Sequence, residues 1–166
     1  SLSGQPFNGP DIGGFGENAT PELFGHWMAV GAFYPFSRGH SATGTKDHEP
    51  WVFGKEIEEV SRVALNRRYR LMPYIYTLFR EASVNGLPVM RPIFFADITD
   101  TELRGEEEAF LLGGDLLILP KWAKNPHLPK GNWRTISIVG EDSKNDKYQP
   151  ELKMRPGSII PMSDII

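Results

Sequence analysis

The sequence predicts an α/β segment that ends near Thr99 and a β-rich segment that follows it. In the first segment, long stretches with helical spacing of apolar residues lead into a short apolar strand, an order that favours a parallel sheet. Beyond Asp97 the chain consists of short apolar runs separated by Gly, Pro and Asn, which is typical of antiparallel β structure. The length of 166 residues suits one domain with room for a second small core, since domains usually contain ~100–200 residues.

The first helix is predicted to begin at Thr20 and to run to about Phe33. Thr20 offers a hydroxyl cap, Pro21 suits the first turn, and Glu22 complements the positive end of the helix dipole. Pro35 closes the helix. Apolar residues recur at helical spacing and predict a buried stripe, which consists of Leu23, Phe24, Trp27, Met28 and Val30.

The middle of the chain combines a long loop with a long helical stretch. Residues 39–54 are polar and rich in glycine, and they predict an ordered loop. Over residues 55–85 apolar positions recur every three or four residues, and Gly86 is the expected stop. Pro73 removes a backbone donor, so we expect it to split this stretch into two packed helices. Residues 87–95 then predict a buried strand of a parallel sheet.

Four apolar runs in the second segment predict the strands of an antiparallel unit. An acidic, polar stretch precedes the first of them, and turn residues separate them. The runs are Phe110–Leu112, Leu116–Leu119, residues 135–139 and residues 158–160.

The charge pattern predicts neither a nucleic-acid partner nor a membrane partner. The formal net charge is −3, from 18 basic and 21 acidic residues spread along the chain, so there is no basic patch of the kind that attracts polyanions. The basic run from Arg67 to Arg70 is predicted to lie on a helix surface. No apolar run approaches the ~20 residues that cross a bilayer.

Cysteine is absent, which excludes disulfides, thiolate metal ligands and a cysteine nucleophile but assigns no compartment. The chain begins without methionine, inside its densest motif, and ends on Ile165 and Ile166. We therefore expect it to be a piece of a longer protein.

The glycine cluster and the polar loop predict neither a nucleotide site nor a metal site. Gly9, Gly13, Gly14 and Gly16 fit neither the dinucleotide fingerprint nor the lysine-terminated phosphate loop. We interpret them as residues that allow a sharp turn at a strand end. His40, Asp47, His48 and Glu49 share one loop without zinc or calcium spacing. No cofactor is predicted.

Four side chains are candidates for a binding site because they flank a single helix. Asp11 and Phe15 precede the helix, and Arg38 and His40 follow it. Each residue alone also has a structural interpretation, such as a carboxylate that accepts backbone donors. One helix that returns to the same sheet edge brings all four together, however. Convergent polar groups beside an aromatic ring suit a sugar, whose hydroxyls need donors and acceptors and whose C–H face packs on a ring.

The motifs resemble those of glycoside hydrolase family 31, the α-glucosidase family, over nearly the whole chain. The matching segments are residues 9–15, 27–40, 49–51, 71–76, 86–95, 110–120, 130–133 and 155–161. The resemblance implies the last two βα units of a (β/α)₈ TIM barrel in residues 1–98. An antiparallel β-sandwich domain, present in part, then covers residues 99–166. Asp11 ends the seventh barrel strand, and residues 87–95 form the eighth.

The resemblance also implies retaining hydrolysis of α-linked glucosides, with an α-glucoside or α-glucan as substrate. Two carboxylates carry out such chemistry, and the family motifs that supply both are absent from these residues. The nucleophile and acid/base are therefore expected upstream, and this chain alone is expected to be inactive. By the same resemblance Asp11 and His40 hydrogen-bond the sugar, Phe15 forms an aromatic wall, and Arg38 orients its neighbours.

Two alternatives remain open at the level of sequence. One is a non-catalytic carbohydrate-binding or interaction module that kept the sugar-facing loops. The other is an α-xylosidase or α-glucan lyase of the same family. In addition to substrate, the expected partner is the missing N-terminal part of the same barrel.

Overall fold

A computed structural model describes residues 1–139 and 146–164, so Ile165 and Ile166 lie outside the described residues. The elements run β1 (Asp11–Ile12), α1 (Pro21–Gly31), β2 (Arg38–Gly39), α2 (Lys55–Arg70), α3 (Met72–Asn85), β3 (Met90–Pro92), β4 (Phe110–Leu112), β5 (Leu116–Leu119), β6 (Arg134–Thr135) and β7 (Glu151–Met154). Short 3₁₀ helices lie at Ile93–Ala96 and Glu102–Gly105. In these two ranges no helix has the length and apolar character needed to cross a membrane.

The strands β1 and β2 form a parallel pair connected through α1. Asp11 lies opposite Arg38, and Ile12 lies opposite Gly39. Parallel neighbours need a crossover connection, which α1 provides. The helix packs closely on the pair, since a Cβ atom on Gly31 would lie 2.8 Å from Cδ1 of Ile12. The strands β1 and β2 are each followed by a helix and so form two βα units, whereas the sequence placed the second strand at residues 87–95.

The start of α1 confirms the predicted cap. The Thr20 side chain accepts a hydrogen bond from the Leu23 backbone N–H at 3.2 Å, and Pro21 and Glu22 occupy the first turn. Phe24, Met28 and the small residues near them are buried against β1 and α2. The cap therefore satisfies a free helix donor. Burial of Phe24, Met28 and Val30 holds the helix in place, whereas Leu23 of the predicted stripe is exposed.

The helical stretch after the long loop is divided at Leu71, as Pro73 predicts. Leu71 donates to the Arg67 carbonyl to close α2, and Ile75 donates to the Leu71 carbonyl to open α3. Pro73 lies in the first turn of α3, where its missing N–H costs nothing. Gly86 then ends α3 in the left-handed conformation, with φ +74°.

The strand predicted at residues 87–95 differs from expectation in length and pairing. Only Met90–Pro92 is extended, and it pairs antiparallel with Phe110–Leu112. The prediction of a parallel strand, the eighth of the barrel, is therefore wrong, and β2 takes that position beside β1. The physical reason is the hairpin formed by β4 and β5, whose free edge satisfies the backbone groups of β3.

The five-stranded sheet has the order β3-β4-β5-β7-β6, and all its neighbours are antiparallel. The strand β7 was not predicted, and residues 158–160 are not a strand. Pairing with both β5 and β6 holds Glu151–Met154 extended, although its sequence is poor in β-branched residues. Of residues 135–139, only Thr135 belongs to a strand. The Ile136 backbone N–H donates a hydrogen bond to the Leu152 carbonyl and so extends the pairing with β7 by one residue.

The larger apolar core is shared by both segments of the chain. Ile12 and Phe24 from the first segment belong to the same cluster as Leu112, Leu116 and Leu152 of the sheet. The other face of the sheet is covered by a second cluster that consists of Ile93, Leu103, Ala109, Leu111, Leu117 and Leu119. All of β5 is buried because both sheet faces are covered.

Three arginines of the basic run connect α2 to other segments, which contradicts the surface expectation. Arg67 is 1% exposed and donates to the Pro150 carbonyl at 3.2 Å. Arg70 donates to the carbonyls of Ser163 and Ile138 at 3.0 and 2.5 Å. Planar guanidinium groups suit this role because they carry several donors in a fixed geometry.

Arg68 fixes the end of α1 through three hydrogen bonds. It donates to the carbonyls of Ala32 (2.9 Å), Tyr34 (2.6 Å) and Pro35 (3.0 Å). Burial lowers the pKa of its guanidinium from the usual range. These bonds hold the turn from which β2 departs toward Arg38, so they help to place the candidate site.

Replacing Arg68 with methionine is expected to lower the free energy of unfolding by about 2 kcal/mol, because three partly buried carbonyls lose a charged donor. Urea denaturation followed by circular dichroism measures the change. Arg62 is the matched control, since it lies on the exposed face of the same helix and pairs only with Glu58 and Glu59 in the described chain. Arg62→Met is expected to cost less than about 0.5 kcal/mol. Equal losses in the two variants would contradict the proposed role of Arg68.

Candidate functional site

The register of the parallel pair places Asp11 directly beside Arg38. Nε and Nη2 of Arg38 donate to Oδ1 of Asp11 at 2.9 and 2.6 Å. Both residues are partly accessible, so this ion pair adds at most about 1 kcal/mol to stability. Its main consequence is orientation, because Oδ1 is held by the guanidinium while Oδ2 lies outside the two bonds.

A glycine turn after β1 carries Phe15 toward His40. Gly13 and Gly14 both have φ +90°, a conformation that favours glycine, and Gly14 donates to the Asp11 carbonyl at 3.0 Å. The Phe15 carbonyl accepts from the Ala42 N–H at 2.9 Å. This bond ties the turn after β1 to the loop after β2. The Phe15 and His40 rings lie with their centroids 5.6 Å apart.

The Phe15 ring is 52% exposed, and His40 is also exposed. An exposed ring beside an imidazole leaves both side chains accessible to a ligand. The structure therefore joins the four predicted residues as two pairs, Asp11 with Arg38 and Phe15 with His40.

A polar cavity of about 430 Å³ lies behind His40, between the long loop and the helices. Ser41 and Asp47 contribute to its wall, and Met28 and Leu65 of α1 and α2 contribute its apolar part. Ser41 Oγ donates to the Lys46 carbonyl at 3.0 Å, which closes the loop on itself. This bond helps to hold the backbone that follows His40.

From the sequence, His48 was considered only as a metal ligand and was assigned no other role. It is 6% exposed, and its ring packs against Phe24 and Phe53 at centroid distances of 5.5 and 5.9 Å. A Cβ atom on Gly13 would lie 2.8 Å from His48 Cε1, and one on Gly39 would lie 2.9 Å from the His48 carbonyl oxygen. His48 therefore packs under both strand ends and requires glycine at both. The only sign in the sequence is a glycine at or just after each strand, Gly39 and Gly13, which is too weak to identify this contact.

One cluster of potential metal ligands occurs in the described chain, away from these residues. Asp100, Glu102 and His127 offer ligand atoms within 4.8 Å of one another. Nε2 of His127 lies 3.5 Å from Asp100, whereas Nδ1 lies 3.3 Å from Glu102, so the two nitrogens face different carboxylates. Lys130 is also 4.0 Å from Asp100. The arrangement is that of ion pairs that join two loops.

The fold and the arrangement of the site together define a class of protein. A parallel strand pair with its crossover helix, polar side chains at the strand ends, and a following antiparallel sheet correspond to part of a TIM barrel and a C-terminal β domain. Active sites of such barrels lie at the carboxyl ends of the strands, and Asp11 and His40 lie at such ends.

Comparison with family profiles gives two matches. Residues 1–78 match "Glycosyl hydrolases family 31 TIM-barrel domain", and residues 86–160 match "Glycosyl hydrolase family 31 C-terminal domain". The chain belongs to glycoside hydrolase family 31. Between the two matches lie residues 79–85, and our division of the chain between residues 98 and 99 stays a prediction.

Similar proteins agree with this membership. A "Probable glucan 1,3-alpha-glucosidase" of Arabidopsis thaliana is 40% identical over 98% of this chain and 19% of its own length. "Alpha-glucosidase 2" of Bacillus thermoamyloliquefaciens is 43% identical over 99% of this chain and 22% of its own length. A family 31 α-glucosidase from Bacteroides thetaiotaomicron has a crystal structure that superposes with a TM-score of 0.91 at 58% identity and covers 99% of this chain and 27% of its own. The chain thus spans about a fifth of the length of these curated relatives.

Proposed function

We propose that this chain is the C-terminal part of the barrel, with part of the following β domain, of a retaining α-glucosidase. Its contribution is the floor of the subsite that holds the sugar to be cleaved. The observation that carries the proposal is the meeting of the Asp11–Arg38 pair with the Phe15–His40 pair at adjacent strand ends in a family 31 chain.

Each of the four side chains has a chemical role in this proposal. The Asp11 carboxylate accepts from sugar hydroxyls, and Arg38 holds that carboxylate in position. The His40 imidazole exchanges a hydrogen bond with a further hydroxyl, while the Phe15 ring packs on the C–H face of the sugar. Hydrogen bonds of this kind strengthen as the ring approaches an oxocarbenium ion, so they stabilise the transition state more than the bound substrate.

The reaction itself needs two more carboxylates. In retaining glycosidases one carboxylate attacks the anomeric carbon, and the other first donates a proton to the leaving oxygen and then activates water. We assign neither role to this chain, and we place both residues in the upstream part of the same barrel. That part is also the proposed partner of β1, which pairs with β2 on one edge and needs a neighbour on the other to close a barrel.

The test uses the complete protein that contains this chain. We expect it to hydrolyse maltose, to release glucose first as the α anomer in proton NMR spectra, and to place one oxygen-18 atom in the new reducing end in H₂¹⁸O. Faster cleavage of an aryl α-xyloside than of the aryl α-glucoside would identify an α-xylosidase. An unsaturated product without oxygen-18 would identify a lyase. Both outcomes contradict the proposal.

Isothermal calorimetry of the 166-residue chain with maltose separates the hydrolase part from the binding module. Loss of sugar binding in Asp11→Asn and His40→Ala, together with no hydrolysis by any longer form, would favour the module. Absence of maltose binding at Asp11 and His40 in the 166-residue chain fits the hydrolase proposal, because the rest of the subsite wall comes from other strands of the barrel.

A further inference from the structure

A second cavity, of about 550 Å³, lies on the side of α1 that faces the turn after β5. Leu23, His26 and Trp27 line it at positions i, i+3 and i+4, which form one face of the helix. Lys121 and Trp122 from the turn form the opposite wall. The cavity therefore has two indole rings on separate elements.

The aromatic walls are only partly covered. Trp122 is 44% exposed, and Leu23 is also exposed. The His26 ring lies between Trp122, at a centroid distance of 6.1 Å, and Tyr148, at 4.8 Å. Packing on both sides fixes the imidazole, so the cavity wall around it is preformed. Tyr148 in turn occupies the space above Gly25, where a Cβ atom would lie 2.8 Å from its ring.

Polar groups in the cavity match a ligand with several hydroxyls. Nδ1 of His26 has no hydrogen-bond partner among the described residues, but it is buried, so the polar contacts open to a ligand come from other groups. Lys147 is positioned by Glu56 at 3.0 Å and by the Tyr148 ring at 4.9 Å. Tyr34 adds a hydroxyl, and burial raises the pKa of this phenol, so it stays protonated as a donor.

We propose that this aromatic cavity, lined by Trp27, Trp122 and His26, is a second saccharide-binding site. A pyranose has an apolar C–H face that packs on indole, and it has hydroxyls at its rim that would reach Lys121 and Lys147. Ligand pockets commonly combine such apolar walls with a few convergent polar groups. The choice of a saccharide rests on the proposed function, since that function brings glucan chains to this surface.

The aromatic cavity is separate from the residues proposed to hold the sugar that is cleaved. No residue of its lining also lines the polar cavity behind His40. The Trp27 ring lies between the aromatic cavity and the turn after β1. Its Cζ3 atom is 3.8 Å from the position that a Cβ atom on Gly14 would occupy in that turn. Only the Trp27 indole ring would separate a glucan segment in the aromatic cavity from the turn that carries Phe15. The site would hold substrate close to the reaction without taking part in it.

The experiment follows the four indole N–H signals in ¹H–¹⁵N spectra of the 166-residue chain titrated with maltotriose. We expect the signals of Trp27 and Trp122 to shift, and those of Trp51 and Trp133 to stay. Trp122→Ala is expected to raise the Kd for maltotriose at least tenfold, about 1.4 kcal/mol. Trp51→Ala is the matched control, since that ring is 66% exposed in the described chain and lies outside the cavity lining. It is expected to leave the Kd unchanged.

Two further measurements separate this proposal from the function proposed above. His40→Ala is expected to leave the Trp27 and Trp122 shifts intact. Loss of both shifts in His40→Ala, together with an unchanged Trp27 shift in Trp122→Ala, would overturn the second site while supporting the first. In the complete protein the same Trp27 and Trp122 signals are expected to respond to maltotriose. If these signals do not shift in the complete protein, another part of the protein covers the cavity, and the proposal is overturned. A near-native circular dichroism spectrum of Trp122→Ala establishes that the variant is folded.

Discussion

Replacing His40 with alanine is expected to lower kcat/KM for maltose hydrolysis by the complete protein about 100-fold, mainly through kcat. The factor corresponds to about 2.7 kcal/mol of lost transition-state stabilisation. The physical reason is a hydrogen bond to the sugar that is strongest when positive charge develops on the ring. Steady-state kinetics with maltose measure the change.

The exposure of His40 makes this prediction specific for function. An exposed side chain outside the apolar core contributes little to folding, so the melting temperature is expected to change by no more than a few degrees. His127→Ala is the matched control, because that imidazole lies in the C-terminal segment and contacts the carboxylates of Asp100 and Glu102. Normal kinetics in His40→Ala, or an equal loss in His127→Ala, would contradict the assignment.

Replacing Gly113 with alanine is expected to lower the free energy of unfolding by about 3 kcal/mol. Gly113 has φ +66°, which costs roughly 1–2 kcal/mol for any residue with a Cβ atom. A Cβ atom there would also lie 2.5 Å from Cδ2 of Leu78 and 2.5 Å from Oη of Tyr74, and overpacking adds about 1–3 kcal/mol. The Tyr74 hydroxyl would lose its bond to the Leu112 carbonyl, now 2.8 Å long.

Urea denaturation of the 166-residue chain measures this effect, and Gly157→Ala is its control. Gly157 has a similar φ of +80° but no atom within 4 Å of its Cβ position. Its replacement is therefore expected to cost only the backbone part, about 1 kcal/mol. Equal costs at the two glycines would show that α3 does not pack on the β4–β5 turn as described.

Local chemistry explains which elements were predictable. The cap at Thr20, the break at Pro73 and the stop at Gly86 depend on neighbours within a few residues, and all three lie where the sequence places them. The helix between two polar strand ends likewise brought Asp11 and Arg38 to one edge. The Asp11–Arg38 pairing was predictable because a single crossover returns the chain to the same sheet edge.

The errors all concern partners that are distant along the chain. The sequence of residues 87–95 is compatible with pairing to β1 or to β4. The hairpin of β4 and β5 offers a free edge, and the segment pairs with β4. The strand β7 is extended because it lies between β5 and β6. The guanidinium of Arg67 is buried because the carbonyl of Pro150 lies within reach, a contact that spans more than eighty residues.

By itself the sequence determined the order of helices and loops, the family, and the choice of four candidate side chains, whose contact with a sugar stays a prediction. These follow from local backbone preferences and from motifs that each occupy a few consecutive residues. Only the tertiary structure decided how the strands pair, why His48 lies under Gly13, and where an aromatic cavity opens between α1 and the sheet. Such features arise from packing between surfaces that are far apart in sequence, and each partner's pattern is compatible with more than one neighbour until the chain has folded.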